Sequence, residues 1–212
     1  MTKKKIGLLG GMGSRASALI YQRAMDYVHA YDDSSFPDLM IYNCPFVGST
    51  ATAKKSLVIE RQVQSGLDRL QQAGCTEIWL GCNSMHLYDV SRYPVVDMPK
   101  MFIAEHKVFF DYQPIVLGSE ATNQNGLYPG KQGSILTSFI DAVIKRPPTQ
   151  KDIYEFEKML IILSSSTKAV NFCTRDNLQQ QVPILIACTE LSVLFWSIPN
   201  AEIKFPKVLD TL

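Results

Sequence analysis

The chain has 212 residues, 46% hydrophobic and 19% charged, which is the composition of a globular protein with room for one large domain or two small ones. A net charge of +1 gives no electrostatic reason to expect binding to nucleic acid or an acidic membrane surface. No apolar run approaches the roughly 20 residues of a membrane span. The apolar stretch after the basic N-terminus is interrupted by glycines and Arg15, so it predicts a first strand and not a signal peptide.

The first half of the sequence predicts strands that alternate with helices. The predicted elements are a strand at 6–9, a glycine turn at 10–13, a helix at 17–31, a strand at 39–43, an amphipathic helix at 57–73 ended by Gly74, a strand at 78–80 and a helix after Ser84. The second half predicts a strand at 115–117, a turn at 118–122, helices at 135–145 and 151–164, a strand at 183–187 and a helix at 189–196.

Two landmarks recur at nearly the same offset in the two halves. The first strand ends at Gly10 in one half and at Gly118 in the other, and the strands that end in cysteines are offset by 106 residues, half the chain. We therefore expect a duplicated α/β fold, with two pseudo-symmetric units built on parallel sheets and the active site in the cleft between them. The predicted domains are residues 1–98 and 99–204, and the tail at about 205–212 is a candidate to cross back to the first domain.

The cysteine pattern predicts free thiols. The number of cysteines is odd, and neither they nor the three histidines show the spacing of a disulfide framework or a zinc site. We therefore expect a reducing, cytoplasmic environment and no metal. The five cysteines are Cys44, Cys75, Cys82, Cys173 and Cys188.

Cys82 and Cys188 are the strongest candidates for chemistry. Each directly follows an apolar, strand-like run, where parallel α/β sheets bind ligands. A helix N-terminus at that point would stabilise a thiolate. A single cysteine there is more simply a small buried residue, but two in matching contexts favour function. Two opposed thiols suit the removal of a proton from one face of a carbon and its return to the other.

Polar residues near the cysteines could bind a carboxylate. Asn83, Ser84 and Thr189 stand where N-caps belong, and the same groups could hold a substrate. Thr122 ends the first turn of the second half and is a candidate contact. His86, one helical turn after Cys82, could tune the thiol or be an ordinary helix residue.

The glycine-rich turn resembles a dinucleotide-binding fingerprint but lacks one part of it. Residues 11–16 match G-x-G-x-x-A, yet the second strand ends Tyr42-Asn-Cys-Pro45, without the acid that would hold a ribose. The glycines more simply allow the backbone to approach a small anion. We therefore expect no cofactor.

Four motifs together resemble the aspartate/glutamate racemase superfamily, in particular its aspartate racemase and broad-specificity amino-acid racemase branch. The motifs are Ile6-Gly-Leu-Leu-Gly-Gly-Met-Gly13, Gly81-Cys-Asn-Ser-Met-His86, Gly118-Ser-Glu-Ala-Thr122 and Ala187-Cys-Thr-Glu-Leu191, and the resemblance extends to Asp210-Thr211. It implies a cofactor-independent, often dimeric racemase. Cys82 and Cys188 match its catalytic cysteines.

The resemblance also implies a set of residues that cradle the substrate, an amino acid or another small carboxylate. They are Met12, Gly13, Asn83, Ser84, Thr122 and Thr189, with Lys145 near a lysine that some aspartate racemases place by the substrate side chain. The chain departs from the family in the loop at 44–50, which has no arginine to read an acidic side chain, and in the segment 164–182.

The sequence leaves other functions open. Relatives with this fold isomerise maleate, racemise hydantoins or decarboxylate malonates, and the arginine-free loop leaves such substrates open. A carboxylate-binding protein without turnover and a nicotinamide oxidoreductase are further alternatives. For the racemase, we expect the two sulfur atoms roughly 7 Å apart across a cleft, within reach of one substrate carbon.

Overall fold

The computed structural model describes residues 4–28, 33–46, 56–133, 136–165 and 183–212 of the chain. The strands are β1 (Lys5–Gly10), β2 (Asp38–Asn43), β3 (Glu77–Leu80), β4 (Ile115–Gly118), β5 (Lys131–Gln132), β6 (Ile184–Ala187) and β7 (Val208–Asp210). The α-helices are α1 (Ser14–Asp26), α2 (Leu57–Gln72), α3 (Met98–Glu105), α4 (Lys107–Asp111), α5 (Glu120–Gln124), α6 (Thr137–Lys145), α7 (Gln150–Ser164), α8 (Thr189–Trp196) and α9 (Ala201–Lys204). No helix among these is long and apolar enough to cross a membrane.

The first sheet has the strand order β2-β1-β3, and all its strands are parallel. Helix α2 covers one face because Val63, Leu67 and Leu70 recur at helical spacing and are fully buried. Gly66, on the same side of this helix, lets it approach β1 closely, since a Cβ there would collide with the Leu9 side chain.

The second sheet has the order β5-β4-β6-β7 and is also parallel. Every residue of β6 is buried, because the sheet is covered on both faces. Helices α6, α7 and α8 pack on one face around Phe156 and Phe195. Phe110, from α4, and Tyr128 pack on the other face.

The order of the strands confirms the expected duplication. The arrangement β2-β1-β3 corresponds to β5-β4-β6, with the first strand of each half next to the strand that precedes a cysteine. The correspondence extends to the fourth strand of the second sheet, β7, which pairs with β6. In the first sheet, Val95 occupies the matching place and forms an isolated parallel bridge to Ile78 of β3.

Contacts of helix α1 join the two halves. It packs against α8 and α6 of the second half. Arg15 donates hydrogen bonds from Nη1 to the carbonyl oxygens of Val143 (2.7 Å) and Ile144 (2.8 Å), at the end of α6. Farther along α1, the Arg23 guanidinium lies 3.6 Å from the centre of the Trp196 ring. The carboxyl ends of β1 and β6 therefore face the same region.

The structure corrects several predicted boundaries. Helix α1 begins at Ser14 and not at Ser17, because Gly13 adopts a left-handed conformation (φ 89°) directly before it, and it ends at Asp26 and not at Tyr31. The helix expected after Ser84 is a short 3-10 helix, Asn83–Leu87. The segment 164–182, where the sequence departs from the family pattern, lies outside the described residues except for Ser164 and Ser165. Cys173 also lies outside them.

The domain limits at 98/99 and 204/205 stay predictions. The tail places its strand β7 beside β6 of the second sheet. The next residue, Thr211, accepts a hydrogen bond from Asn83 of the first half. The tail therefore makes contacts with both halves.

Replacing Phe156 with alanine should lower the free energy of unfolding by about 3–5 kcal/mol, because its ring is fully buried in the core of the second half and its loss leaves a cavity. Urea denaturation followed by circular dichroism measures this. Tyr154→Ala on the same helix is the matched control, since Tyr154 is 65% exposed, and its effect should stay within about 0.5 kcal/mol. Equal effects of the two substitutions would contradict the packing described.

Candidate active site

The buried carboxylate of Glu190 connects the two halves at the carboxyl ends of their sheets. Its Oε2 atom accepts hydrogen bonds from Cys188 Sγ (3.1 Å) and Thr189 Oγ1 (3.3 Å). Its Oε1 atom lies against Gly13 of the first half, where a Cβ would collide with it. Cys188, Thr189 and Glu190 are each at most 5% exposed. One side chain therefore links a predicted catalytic cysteine to the glycine-rich turn.

Cys82 occupies the corresponding position at the end of the first sheet. Its Sγ atom lies 3.1 Å from Ser84 Oγ, and that hydroxyl in turn donates to Met12 Sδ at 3.4 Å. The Cys82 side chain is 7% exposed. Met12, Cys82 and Ser84 thus form one contact group, and Gly13, Cys188, Thr189 and Glu190 form another.

The two groups lie close enough to interact electrostatically. Burial, and next the charge of Glu190, raise the pKa of the Cys82 thiol to about 12. Burial raises the pKa of the Cys188 thiol as well, with Glu190 as the second cause and Cys82 as the third. The charge of Glu190 thus acts on both thiols, and Cys82 acts on Cys188. The role of the two cysteines as a catalytic pair stays a prediction.

The pKa values of both thiols are raised. The sequence predicts the opposite, because a helix N-terminus stabilises a thiolate and so lowers the pKa of the thiol. Cys82 precedes only a short 3-10 helix, and Cys188 precedes α8. The loss of hydration on burial outweighs the favourable backbone N–H groups at both positions. Both thiols are therefore protonated near neutral pH, and a base must accept a proton before either can act.

Glu190 is the group best placed to accept that proton. Burial raises the pKa of its carboxyl above the ordinary value. A carboxylate with a raised pKa is a stronger base than an exposed one, and here it accepts a hydrogen bond directly from Cys188 Sγ. Nothing local to the sequence places Glu190 beside Gly13, so its position at the site could not be predicted.

Asn83 is held by side chains of the second half. Its Nδ2 atom donates to Thr211 Oγ1 at 2.8 Å, and its Oδ1 atom accepts from the Tyr128 hydroxyl at 2.8 Å. Since its side-chain amide has these two partners, Asn83 fixes the 3-10 helix against the tail. Its predicted role toward the substrate stays a prediction.

The tail carries a second acid, Asp210, next to Thr211, and this residue is partly buried. Its carboxylate accepts hydrogen bonds from the hydroxyl of Ser192 and the indole of Trp196, both on α8. Burial raises the pKa of Asp210 to about 6 in spite of these donors. Asp210 thus anchors the tail to α8, the helix that begins after Cys188.

Thr122 lies at the carboxyl end of β4 and is 2% exposed. Its hydroxyl is 3.0 Å from that of Ser119, whose Oγ atom also accepts from the Thr122 amide in an N-cap. Helix α5, which carries Thr122, packs against the 3-10 helix after Cys82. The structure thus places Thr122 in the second half near the Cys82 turn, and its contact with a substrate stays a prediction.

Lys145 and His86 stand apart from the two contact groups. Lys145 is the exposed last residue of α6. His86 is partly buried, and burial lowers its pKa to about 4, so its imidazole is neutral near neutral pH. Of the residues described, Ser84 and not His86 provides the side-chain hydrogen bond to Cys82.

The glycine-rich turn is closely packed and faces an acid. Its Gly11 amide donates to Ser17 Oγ, and a Cβ at this residue would collide with the carbonyl of Cys44. At Gly13 the turn meets Glu190. A buried carboxylate at this position disfavours a pyrophosphate, which supports setting the dinucleotide fingerprint aside. Among the described residues, no three histidine, cysteine, aspartate or glutamate side chains lie close enough together to hold a metal ion.

A cavity of about 250 Å³ opens beside Glu190. The turn from Gly11 to Ala16 forms one wall, and Arg15 lies on this side. Pro45 and Phe46, which follow β2, and Val143 and Ile144, at the end of α6, form the others. Arg15 was not predicted as a site residue, because the carbonyl groups that hold it lie more than a hundred residues away in sequence.

The fold agrees with that of solved aspartate and glutamate racemases. Two solved structures match nearly the whole chain. An aspartate racemase from Picrophilus torridus superposes with a TM-score of 0.71 at 19% identity, over 98% of this chain and 89% of the other. A glutamate racemase from Francisella tularensis subsp. tularensis SCHU S4, in complex with D-glutamate, superposes with a TM-score of 0.62 at 13% identity, over 100% of this chain and 77% of the other.

The sequence is similar to the broad specificity amino-acid racemase RacX of Bacillus subtilis (strain 168). The two are 28% identical over 131 residues, which cover 58% of this chain and 58% of the relative. No family model matches the sequence. Together the relatives confirm the resemblance to the aspartate/glutamate racemase superfamily, and the solved structures confirm its two-sheet α/β fold.

Replacing Glu190 with glutamine should lower the pKa of both Cys188 and Cys82, because the charge of Glu190 contributes to raising each of them. The thiolate is the species that alkylating reagents attack. The pH dependence of iodoacetamide labelling at each cysteine, read by peptide mass spectrometry, should therefore shift to lower pH in the variant. A shift of one pH unit corresponds to about tenfold faster labelling at a fixed pH below the pKa.

Cys75 is the internal control in the same protein. It is buried in the first half, and its pKa is raised by burial and altered by Lys5 and Asp38, without a contribution from Glu190. Its labelling should be the same in both proteins. Unchanged profiles at Cys82 and Cys188 would contradict the electrostatic coupling described, whereas a change at Cys75 would indicate general loosening of the fold.

Proposed function

We propose that the protein is a cofactor-independent amino-acid racemase in which Cys82 and Cys188 exchange the α-proton of the substrate. The observation that carries the proposal is the position of Glu190, whose carboxylate accepts a hydrogen bond from the buried Cys188 thiol, lies against Gly13 of the other half and raises the pKa of the buried Cys82 thiol by its charge. The relatives in sequence and structure that are named as racemases support the same reaction.

The pair of thiols suits a two-base reaction. One thiolate removes the α-proton from one face of the carbon, and the thiol of the other cysteine delivers a proton to the opposite face. The roles reverse when the enantiomer binds, so a racemase needs both residues in either direction. The separation of roughly 7 Å between the sulfur atoms stays a prediction.

Glu190 provides a route to the thiolate. Its Oε2 atom takes the proton of Cys188 Sγ along the existing hydrogen bond, which leaves a thiolate next to a neutral carboxyl group. This transfer keeps the total charge of the pair unchanged, so it avoids a second buried negative charge. For Cys82, the hydroxyl of Ser84 lies 3.1 Å from Sγ and stabilises the thiolate form once it turns from Met12 Sδ to donate to the sulfur.

The substrate carboxylate requires donors as the carbanion gains enediolate character. The backbone N–H groups of the turn after Cys82 and of the first turn of α8 are the donors we assign to it, with the hydroxyl groups of Ser84 and Thr189 beside them. Expulsion of water from this buried site strengthens these hydrogen bonds. Cytoplasmic location and assembly as a homodimer stay predictions.

Replacing either Cys82 or Cys188 with alanine should lower the rate of racemisation by about 10²–10⁴-fold, because each variant lacks one of the two proton-transfer groups. The assay is circular dichroism of single L- and D-amino acids, with solvent deuterium entering the α-position as a second readout.

Cys44→Ala is the matched control, since Cys44 is a free cysteine of the first half that lies outside the pair. Because Cys44 belongs to neither contact group, its substitution should change the rate of racemisation by less than about twofold. Undiminished racemisation by Cys188→Ala would overturn the proposed mechanism. If the wild-type protein exchanges the α-proton of no amino acid with solvent, the proposed function itself is wrong.

A further inference from the structure

We infer that the tail residues Asp210 and Thr211 are positioning residues, each of which holds the turn that follows one of the two candidate catalytic cysteines. The inference rests on the proposed function, because a two-base reaction requires both thiols to reach one carbon. It depends on three observations: the attachment of the tail to β6, the contact that Thr211 makes, and the contacts that Asp210 makes.

The first observation is the attachment of the tail to the strand that leads to Cys188. Strand β7 pairs in parallel with β6, with Asp210 in register with Ile186. The Thr211 amide extends this pairing, because it donates to the Ile186 carbonyl oxygen at 3.1 Å. Since Ile186 lies two residues before Cys188, the backbone of the tail is fixed beside the approach to one cysteine.

The second observation is the contact from Thr211 to the turn that follows the other cysteine. Thr211 Oγ1 accepts a hydrogen bond from Asn83 Nδ2 at 2.8 Å, and Asn83 directly follows Cys82. The Tyr128 hydroxyl holds the other end of the same amide, also at 2.8 Å. Thr211 and Asn83 are each 8% exposed, so loss of the Thr211 hydroxyl would leave a buried donor without a partner.

The third observation is the attachment of Asp210 to α8, the helix that begins after Cys188. The Asp210 carboxylate accepts hydrogen bonds from Ser192 Oγ and Trp196 Nε1, each at 2.5 Å. The Ser192 amide donates to the Cys188 carbonyl oxygen at 3.1 Å, and the Ser192 hydroxyl lies 3.3 Å from the same oxygen. Asp210 therefore holds the residue that closes the first helical turn after Cys188.

The tail thus forms a short link between the two turns. Successive side chains of an extended segment point to opposite sides, which lets Asp210 hold α8 while Thr211 holds the Cys82 turn. A displacement of about 1 Å at a reacting group can cost about 10²-fold in rate, so this link bears directly on the reaction.

The first test removes the hydroxyl of Thr211. Thr211→Val keeps the shape of the side chain but not the acceptor for Asn83, and it should lower kcat/KM for racemisation by at least about tenfold. Thr211→Ser retains the hydroxyl and should stay within about threefold of the wild-type protein. A Thr211→Val protein as fast as the wild type, or a Thr211→Ser protein as slow as Thr211→Val, would overturn the inference.

Thr76→Val is the matched control for this substitution. Thr76 is an exposed residue of the first half, and its hydroxyl donates to the carbonyl oxygen of Lys5 at the start of β1. Because this hydroxyl contacts neither cysteine turn, its loss should change kcat/KM by less than about twofold.

The second test, cysteine labelling, separates positioning from a general loosening of the fold and does not require turnover. Thr211→Val should speed iodoacetamide labelling of Cys82 by at least about tenfold, because the released turn exposes the thiol, and should leave Cys188 unchanged. Ser192→Ala removes a donor to Asp210 and should do the reverse. Unchanged labelling of Cys82 in Thr211→Val, or equal changes at both cysteines in each variant, would overturn the inference.

Labelling also separates this inference from the proposed function. If the wild-type protein exchanges the α-proton of no amino acid, the proposed function is wrong, and labelling alone decides whether the tail holds the two turns. If Thr211→Val does not fold, Tyr128→Phe gives the same test, because it removes the other partner of the Asn83 amide. It should speed labelling at Cys82 and not at Cys188, and equal rates at Cys82 in this variant and the wild type would overturn the inference.

Discussion

The contact of Glu190 with Cys188 on one side and Gly13 on the other is the interaction on which the site depends. It requires a residue without a side chain at position 13, both for the positive φ angle and for the space that the carboxylate occupies. It also places a negative charge where it influences both thiols. A buried acid is costly unless it has donors, and Cys188 and Thr189 provide them.

The rest of the architecture keeps this contact in place. Parallel strands end at the same edge of a sheet, so β1, β3 and β6 deliver Gly13, Cys82 and Cys188 to the facing edges of two duplicated sheets. Arg15 and Arg23 then hold α1 against the second half, and the amide of Asn83 holds the Cys82 turn against Tyr128 and the tail. Positioning of the thiols is therefore a property of both halves together.

The parts of the fold that depend on local patterns could be predicted from the sequence. Helix α2 was expected at 57–73 and spans Leu57–Gln72, because its apolar residues repeat at helical spacing and Gly74 adopts a positive φ angle directly after it. Helix α8 spans the predicted residues. The pair of cysteines could be singled out because the duplication repeats a strand that ends in a cysteine.

Features that depend on distant contacts could not be predicted. The early start of α1 follows from the conformation of Gly13, and the position of Arg15 follows from carbonyl groups 128 and 129 residues away. The expectation of stabilised thiolates was wrong for the same reason. Sequence position indicates a helix N-terminus, whereas the extent of burial, which decides the thiol pKa here, arises from the packing of two halves.

The pattern of isotope labelling in the first turnovers in deuterium oxide tests the two-base account most directly. The reaction starts from the L-enantiomer of whichever amino acid exchanges fastest, and mass spectrometry follows each enantiomer separately. Because each cysteine serves one face of the carbon, the D-product should carry solvent deuterium from its first appearance while the remaining L-substrate carries little. A D-product that retains the original proton, or equal early labelling of both enantiomers, would indicate a single base and contradict the account.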